Sequence, residues 1–189
     1  MGIDQIARRG VFLDRDGVIN RAIMRAGKPY PPSDLAELEI LPGVPQALLR
    51  LKRAGFKLIV VTNQPDVARG TRTRESVEAI HAKLLANGLP IDSFRVCYHD
   101  DEGGCACRKP APGMLLAAAR EENLDLAASF MIGDRWRDIE AGRRAGCTTL
   151  FIDYQYPELL RSAPDCRVRS LPEAAVWILA SLGEGEGRE

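Results

Sequence analysis

The chain has no excess of charge of either sign, because 26 lysine and arginine residues balance 26 aspartate and glutamate residues. A balanced chain creates no long-range field that would attract nucleic acid or an anionic membrane. Long apolar runs are absent too, and the longest, Leu58–Val61 and Met114–Ala119, are far too short to cross a bilayer. Residues 1–10 include charged side chains and lack the apolar core of a signal peptide. We therefore expect a cytoplasmic protein with neither a nucleic-acid nor a membrane partner.

Cysteine is scarce, and its count of five is odd. Three of the five fall within residues 97–107, a stretch that also contains a histidine. Such clustering is more typical of metal ligation than of disulfides. Three thiolates and one imidazole complete a tetrahedral zinc set that leaves no position open for chemistry. We predict a structural zinc site formed by Cys97, His99, Cys105 and Cys107, with a reduced, metal-free cysteine cluster as the alternative.

The residues between the predicted zinc ligands provide no core of their own. Asp100–Gly104 contains no apolar side chain, so metal binding would be what orders this zinc loop, defined as residues 97–107. Arg108 and Lys109 follow the last predicted ligand directly. We expect zinc to hold both basic residues in place.

Apolar runs alternate with amphipathic stretches along the chain, which is typical of α/β domains. The pattern predicts strands at Val11–Leu13, Phe56–Val61, Phe94–Tyr98, Ser129–Ile132, Cys147–Ile152 and Cys166–Val168. It predicts helices at Gly43–Ala54, Arg74–Asn87, from Pro112 onward, at Trp136–Ala145 and at Pro172–Leu182. No repeat or interdomain linker interrupts them. We predict one domain over residues 1–182, a doubly wound parallel sheet with helices on both faces, followed by a flexible tail at 183–189.

Polar side chains follow the predicted strands where they can share one cleft. They are Asp14 and Asp16, then Thr62, Asn63 and Gln64, then Arg108 and Lys109, then Asp134 with Asp138. In a doubly wound sheet the carboxyl ends of the strands meet at one crevice, where ligands bind. These groups supply a carboxylate nucleophile, a cation site and donors for phosphate oxygens, which phosphoryl transfer requires. Taken alone, Asp-Arg-Asp-Gly is equally compatible with a solvated turn.

Four segments in order resemble the motifs of the haloacid dehalogenase superfamily of phosphohydrolases: FLDRDG (12–17), VTNQ (61–64), RKP (108–110) and IGDRWRD (132–138). The resemblance implies that Asp14 attacks phosphorus and that Asp16 protonates the leaving oxygen and later deprotonates water. It also implies that Thr62 and Lys109 hold the phosphoryl oxygens. Mg²⁺ would be bound by the side chains of Asp14 and Asp134 and by the backbone carbonyl of Asp16.

The zinc loop narrows this resemblance. The spacing Cys-x-His…Cys-x-Cys-Arg-Lys-Pro, with TNQPDVARG at 62–70, is similar to that of phosphatases for the 7-phosphate of D-glycero-D-manno-heptose 1,7-bisphosphate and to that of histidinol-phosphate phosphatases. The likeness implies a small phosphorylated sugar substrate, recognition by Arg108, a second phosphate at Arg135, and a pocket lined by Asn63, Gln64 and Pro65. We expect a monomer. The alternatives are histidinol phosphate or another small phosphomonoester as substrate, or a zinc-stabilised binding module without turnover.

Many members of that superfamily carry an inserted cap domain, yet here both possible intervals are used by core elements, the zinc loop and a flap, defined as residues 18–42. The flap is polar and rich in proline, which argues against a long helix. We therefore predict a capless fold with an open cleft. Arg21, Arg25 and Lys28 of the flap are candidates, as a group, for contact with a second phosphate, although solvated loop charges are the commoner case.

Two further residues are ambiguous in the sequence. Asp138 fits either a carboxylate at a helix N-terminus, favoured by the helix dipole, or a supporting role at the metal. His81 lies on a predicted helix between Ile80 and Ala82 with no partner motif. We expect His81 at the surface.

Overall fold

The structure, a computed structural model, describes residues 7–102 and 104–183 and centres on a parallel six-stranded sheet. In chain order the elements are β1 (Arg8–Leu13), β2 (Ile23–Arg25), β3 (Lys28–Tyr30), α1 (Val44–Arg53), β4 (Lys57–Asn63), α2 (Arg74–Ala86), β5 (Ser93–Cys97), α3 (Gly113–Glu122), β6 (Leu124–Gly133), α4 (Trp136–Ala145), β7 (Thr148–Ile152), β8 (Cys166–Val168) and α5 (Leu171–Gly183). The sheet order is β5-β4-β1-β6-β7-β8, with every neighbouring pair parallel. β2 and β3 form a separate antiparallel hairpin.

Apolar side chains alternate between the two faces of the sheet and form a core on each face. Val11 and Leu13 pack with α1, α2 and α5, whereas Phe12 between them packs with α3 and α4. This alternation follows from the two-residue period of a strand. Helices therefore cover both faces of a parallel sheet, which confirms the predicted doubly wound α/β fold.

Most element bounds shift by one to three residues from the prediction, and two differences are larger. β6 begins at Leu124, well before the predicted Ser129, because Leu124 and Asp125 pair with Arg8 and Arg9 across a shift in register. This part of the strand was not predicted because most of the residues that follow Leu124 are polar or small. The β2–β3 hairpin lies in the proline-rich flap, where strands were not predicted. Residues 184–189 of the predicted tail lie outside the described residues.

The order of the strands creates a crevice beside β1. The chain runs from β1 outward to β4 and β5, then returns to the other side of β1 to build β6, β7 and β8. β1 and β6 are therefore neighbours where the winding reverses, and the loops that leave them diverge. Ligands of doubly wound folds bind at this point. Asp14 follows β1 here, and Asp134 follows β6.

The flap uses much of its charge internally. Arg21 forms an ion pair with Glu39 at 2.6 Å, and Arg25 lies 3.5 Å from Glu37. Two of the three basic side chains considered for phosphate contact thus already have carboxylate partners. Between β1 and β4 the chain builds only the flap and α1, in agreement with the predicted capless fold. Within the described ranges, each helix is too short or too polar to cross a membrane.

Gly142 allows α4 to lie directly on the sheet. A Cβ atom at this position would lie 2.7 Å from Met131 Cβ and 2.8 Å from Thr149 Cγ2. Overpacking a core costs about 1–3 kcal/mol, more than the roughly 1 kcal/mol by which alanine favours a helix over glycine. We expect Gly142→Ala to lower the free energy of unfolding, measured with urea.

The matched control is Gly183→Ala, at the end of α5, where no described atom lies within 4 Å of the added Cβ. This change should leave the free energy of unfolding within about 0.5 kcal/mol of the unmodified protein. Equal stability of both variants would contradict the close packing of α4.

Candidate active site

A buried lysine joins two aspartates at the carboxyl edge of the sheet. The Nζ of Lys109 lies 2.9 Å from Asp14 Oδ1 and 2.6 Å from Asp138 Oδ1. It also donates to the Val61 carbonyl at 2.7 Å. Burial would lower the pKa of Lys109, but Asp138 and Asp14 raise it above its usual value. Lys109 is therefore a fixed cation directly beside Asp14.

Asp14 remains short of positive charge despite this lysine. Burial raises the pKa of Asp14 to about 7, although Lys109 acts in the opposite direction. Its Oδ1 also accepts a hydrogen bond from the Arg15 backbone N–H at 2.8 Å. A further cation near Asp14 would favour the ionised carboxylate.

Asp134 is the carboxylate with the greatest need of a cation. Asp134 is 1% exposed, and neither of its carboxylate oxygens accepts a hydrogen bond of ordinary geometry from the described residues. Burial, Asp14 and Asp138 raise the pKa of Asp134 well above its usual range. Gly17, with φ of 93°, makes room for it, since a Cβ there would lie 2.1 Å from Asp134 Oδ2. Burial and the nearby Asp134 in turn raise the pKa of the Tyr156 phenol.

These carboxylates fit a divalent metal ion. One oxygen each from Asp14, Asp134 and Asp138 lies within 4.8 Å of the others. Hard cations such as Mg²⁺ prefer carboxylate oxygens and would supply the charge that the group lacks. Asp138 also accepts from the backbone N–H of Arg135 at 3.0 Å, at the start of α4. It thus combines a helix N-terminal contact with the ion pair to Lys109.

Asp16 is held by four donors on the other side of the crevice. Arg15 contacts both of its oxygens, at 3.1 and 2.9 Å. Asn20 Nδ2 donates at 2.9 Å and Gln64 Nε2 at 3.0 Å. Burial would raise the pKa of Asp16, but the Arg15 charge and these hydrogen bonds lower it. Asp16 is therefore a carboxyl group of fixed orientation.

Side chains at the end of β4 form hydrogen bonds to Lys109 on one side of the site and to Asp16 on the other. Asn63 Nδ2 donates to the Lys109 carbonyl at 2.9 Å, and the Lys109 N–H donates back to Asn63 Oδ1 at 3.1 Å. Gln64 donates to Thr62 Oγ1 at 2.9 Å. Gln64 is 1% exposed, so its side chain supports Thr62 and Asp16 instead of lining the pocket as the sequence suggested. Asn63, Thr62 and Pro65 do line it.

The site opens into a cavity of about 210 Å³ whose mouth is rich in arginine. Its lining includes Arg69, Arg108, Arg135 and Arg137. Asp101 of the zinc loop accepts from Arg108 at 2.9 and 3.0 Å. Arg69 and Arg137 lie 3.3 and 3.7 Å from the same carboxylate. Arg135 instead pairs with Glu158 at 2.7 and 3.0 Å.

The four predicted zinc ligands meet in one cluster. Cys107 Sγ lies 3.3 Å from the sulfurs of Cys97 and Cys105 and 3.3 Å from His99 Nδ1. All four ligand atoms fall within 4.8 Å of one another. Tetrahedral Zn–S bonds of about 2.3 Å place two sulfurs roughly 3.8 Å apart, close to the 3.7 Å between the sulfurs of Cys97 and Cys105. Burial and hydrogen bonding raise the pKa of Cys97 to about 12, so a cation would be needed to hold three thiolates together.

The expectation that His81 lies at the surface is wrong. His81 is 3% exposed, its ring stacks on Phe94 with centroids 4.3 Å apart, and its Nε2 lies 3.1 Å from Arg15. The spacing of the buried residues on α2 was the missed indication, because Val77, Ile80, His81 and Leu84 follow the i, i+3, i+4, i+7 pattern. Arg15, with no exposed surface, has no such indication in the sequence.

The comparisons with known proteins agree with this geometry. A family model described as haloacid dehalogenase-like hydrolase matches residues 31–146. A protein of Yersinia pestis named D-glycero-beta-D-manno-heptose-1,7-bisphosphate 7-phosphatase is 35% identical over 185 residues, 92% of this chain and 91% of its own. A protein of the same name from Bordetella bronchiseptica is 40% identical over 144 residues, 72% of this chain and 76% of its own.

A solved structure extends the likeness to three dimensions. The D,D-heptose 1,7-bisphosphate phosphatase of B. bronchiseptica, complexed with magnesium and phosphate, superimposes with a TM-score of 0.80 at 32% identity and covers 92% of this chain and 99% of its own. The identities, the coverage and the family match all support the resemblance first read from the four motifs. The chain belongs to the haloacid dehalogenase-like hydrolase family.

Proposed function

We propose that this chain is a magnesium-dependent phosphatase that hydrolyses the 7-phosphate of D-glycero-D-manno-heptose 1,7-bisphosphate. The observation that carries the proposal is the buried Asp134, whose oxygens accept no hydrogen bond of ordinary geometry from the described residues, beside Asp14, which Lys109 contacts at 2.9 Å. The names of the relatives support the substrate. Because the cavity is open, a sugar phosphate can reach Asp14 from the mouth.

Asp14 is the proposed nucleophile. Its oxygen forms a bond to phosphorus while the bond from phosphorus to the sugar oxygen breaks, and Asp16, which reacts in its protonated form, gives that oxygen a proton and becomes a carboxylate. Asp16 then takes a proton from water as the water oxygen attacks the aspartyl-phosphate. Inorganic phosphate leaves, and Asp14 is restored as a carboxylate. Lys109 and Thr62 hold the phosphoryl oxygens during both steps.

The metal site would be formed by the side chains of Asp14 and Asp134 and by the backbone carbonyl of Asp16. When bound, Mg²⁺ neutralises charge on the carboxylates and on the phosphoryl group, which reduces the repulsion between two anions. Asp138 has a different part in the proposal, since its contact with Lys109 keeps that ammonium directed toward Asp14.

The thiol cluster is the proposed zinc site. Its metal would be structural, because Cys97, His99, Cys105 and Cys107 fill all four positions. Arg108 and Lys109 follow Cys107 directly, so the metal would fix the start of the segment that enters the active site.

Thiolate ligands require reduced cysteines, which supports a cytoplasmic location. A single chain provides every proposed group, which supports a monomeric enzyme.

The arginines at the cavity mouth support a substrate with a second phosphate. Arg108 is within hydrogen-bonding distance of Asp101, and Arg135 is paired with Glu158. Guanidinium groups bind phosphate and carboxylate with the same planar geometry. A second phosphate can therefore replace either carboxylate as the partner of its arginine. We assign recognition of the substrate to Arg108 and Arg135, with Asn63 and Pro65 lining the same cavity.

Removal of either reacting carboxylate should stop phosphate release. We expect Asp14→Asn to abolish Mg²⁺-dependent turnover of the heptose bisphosphate, because an amide cannot form the phosphoryl ester. Asp16→Asn should lower kcat by about 10²–10⁴-fold, the usual contribution of a general acid–base group. Asp125→Asn, at the opposite end of β6, should retain full activity. An unmodified chain that binds the sugar yet releases no phosphate would instead favour the inactive binding module.

Loss of one thiol should release the proposed zinc. We expect elemental analysis to find one zinc per chain, and Cys105→Ser to lose the metal and lower the Tm, because metal binding is coupled to the folding of the loop. Cys166→Ser changes a thiol outside the cluster and should keep both the zinc and the Tm. A zinc-free preparation whose Tm is the same with and without a chelator would refute the site.

Substrate preference tests the role of the arginines. We expect the highest kcat/KM with one anomer of the heptose bisphosphate, above histidinol phosphate and a hexose monophosphate. Arg108→Gln should lower kcat/KM for the bisphosphate by about 10–100-fold, because a hydrogen bond to a charged group contributes about 1.5–3 kcal/mol. The exposed Arg169→Gln is the control. A preference for histidinol phosphate would replace the substrate but leave the phosphatase proposal standing.

A further inference from the structure

A row of polar side chains leads from Asp16 through the buried Arg15 and His81 to Glu78 and Tyr98 nearer the surface. Arg15 contacts both Asp16 oxygens, and its third nitrogen lies 3.1 Å from His81 Nε2. His81 Nδ1 lies 3.2 Å from a Glu78 oxygen. The hydroxyl of Tyr98 donates to the other oxygen of Glu78. The Arg15 side chain is completely buried, and only 4% of the His81 side chain is exposed.

The chemistry of these groups determines where each proton lies. A guanidinium can only donate, so His81 Nε2 accepts from Arg15. The His81 proton is therefore on Nδ1, from which it is donated to Glu78. Burial and the Arg15 charge lower the pKa of His81, in agreement with a neutral ring. The stack on Phe94 fixes the plane of that ring.

We infer that His81, acting through Arg15, is a positioning residue for the proton transfer by Asp16. The inference rests on the proposed function. A buried guanidinium is stable only with its donors paired, and Arg15 has partners at both ends: Asp16 in front and His81 behind. Without an acceptor behind it, the guanidinium is held less firmly, and two of the four donors that orient Asp16 come from this group. Asn20 and Gln64 still hold Asp16, so its alignment with the leaving oxygen is weakened but not lost.

The leaving group provides a specific measure of this effect. A sugar alkoxide is a poor leaving group and needs the Asp16 proton, whereas p-nitrophenolate is a stable anion and needs little protonation. The value of kcat/KM reports only the steps up to departure of the alcohol, so hydrolysis of the shared aspartyl-phosphate does not enter. The ratio of kcat/KM for the heptose bisphosphate to that for p-nitrophenyl phosphate therefore reports the placement of Asp16.

Two substitutions of His81 separate the acceptor from the ring. His81→Phe keeps a ring for the stack on Phe94 but removes the acceptor, whereas His81→Gln removes the ring but keeps an acceptor oxygen for Arg15. We expect His81→Phe to lower the ratio about tenfold, less than the about 10²–10⁴-fold effect of losing the acid itself. His81→Gln should restore most of the ratio. Tyr98→Phe, beyond Glu78, is the control and should leave it unchanged.

Other outcomes overturn the inference. An equal loss of kcat/KM on both substrates would assign His81 a merely structural role, and an unchanged ratio would assign it none. Should His81→Phe fail to fold, Glu78→Ala serves instead, because Glu78 is 57% exposed and its loss frees the Nδ1 proton without a core change. We expect Glu78→Ala to lower the ratio by less than His81→Phe does. A ratio equal to that of the unmodified protein would contradict the inference. If the unmodified chain hydrolyses neither ester, the proposed function fails, and this inference fails with it.

Discussion

The structure depends on an excess of negative charge buried at one place. Asp14, Asp134 and Asp138 approach one another at the edge of the sheet, and the Lys109 ammonium contacts two of them. Three carboxylates and one buried lysine do not balance, and burial of the surplus charge raises the pKa of Asp14 and of Asp134. A divalent cation balances the group, and the same balance lets an anionic phosphate approach. The metal requirement that we propose and the capacity for phosphoryl transfer therefore have the same electrostatic cause.

The fold creates this property with few elements. β1 and β6 are adjacent at the reversal of winding, so the residues that follow them are brought together from distant parts of the chain. Gly17 removes the side chain that would otherwise fill the space of Asp134. Asn63 pairs with both backbone polar groups of Lys109, which ties β4 to the segment after the zinc loop. Three parallel strands thus determine the relative positions of Asp14, Asp134 and Lys109.

The sequence was sufficient to predict the groups at strand ends, but not the contacts between elements. Asp14 and Asp134 could be identified because apolar runs locate their strands, and the first polar residues after each run locate its end. Gln64 could not be assigned, because whether it faces the pocket or Asp16 depends on the packing of β4 against the β1 loop. Arg15 is a charged residue in a polar motif, and its complete burial becomes evident only when α2 lies over it. The hairpin in the flap escaped notice because prolines weaken strand patterns.

Two clusters in this chain share one structural logic, and a short segment connects them. The thiol cluster and the carboxylate cluster each bring together groups that repel one another when ionised, and each is therefore stable as an ionised group only around a cation. Arg108 and Lys109 lie between the two clusters. Lys109 is held from the carboxylate side by Asp14 and Asp138, and Arg108 is held from the loop side by Asp101 and by the His99 carbonyl. With a metal on each side, the segment has little freedom to move. Lys109, which we propose holds the phosphoryl oxygens, is then already in place before substrate arrives, and binding energy is not consumed in ordering it.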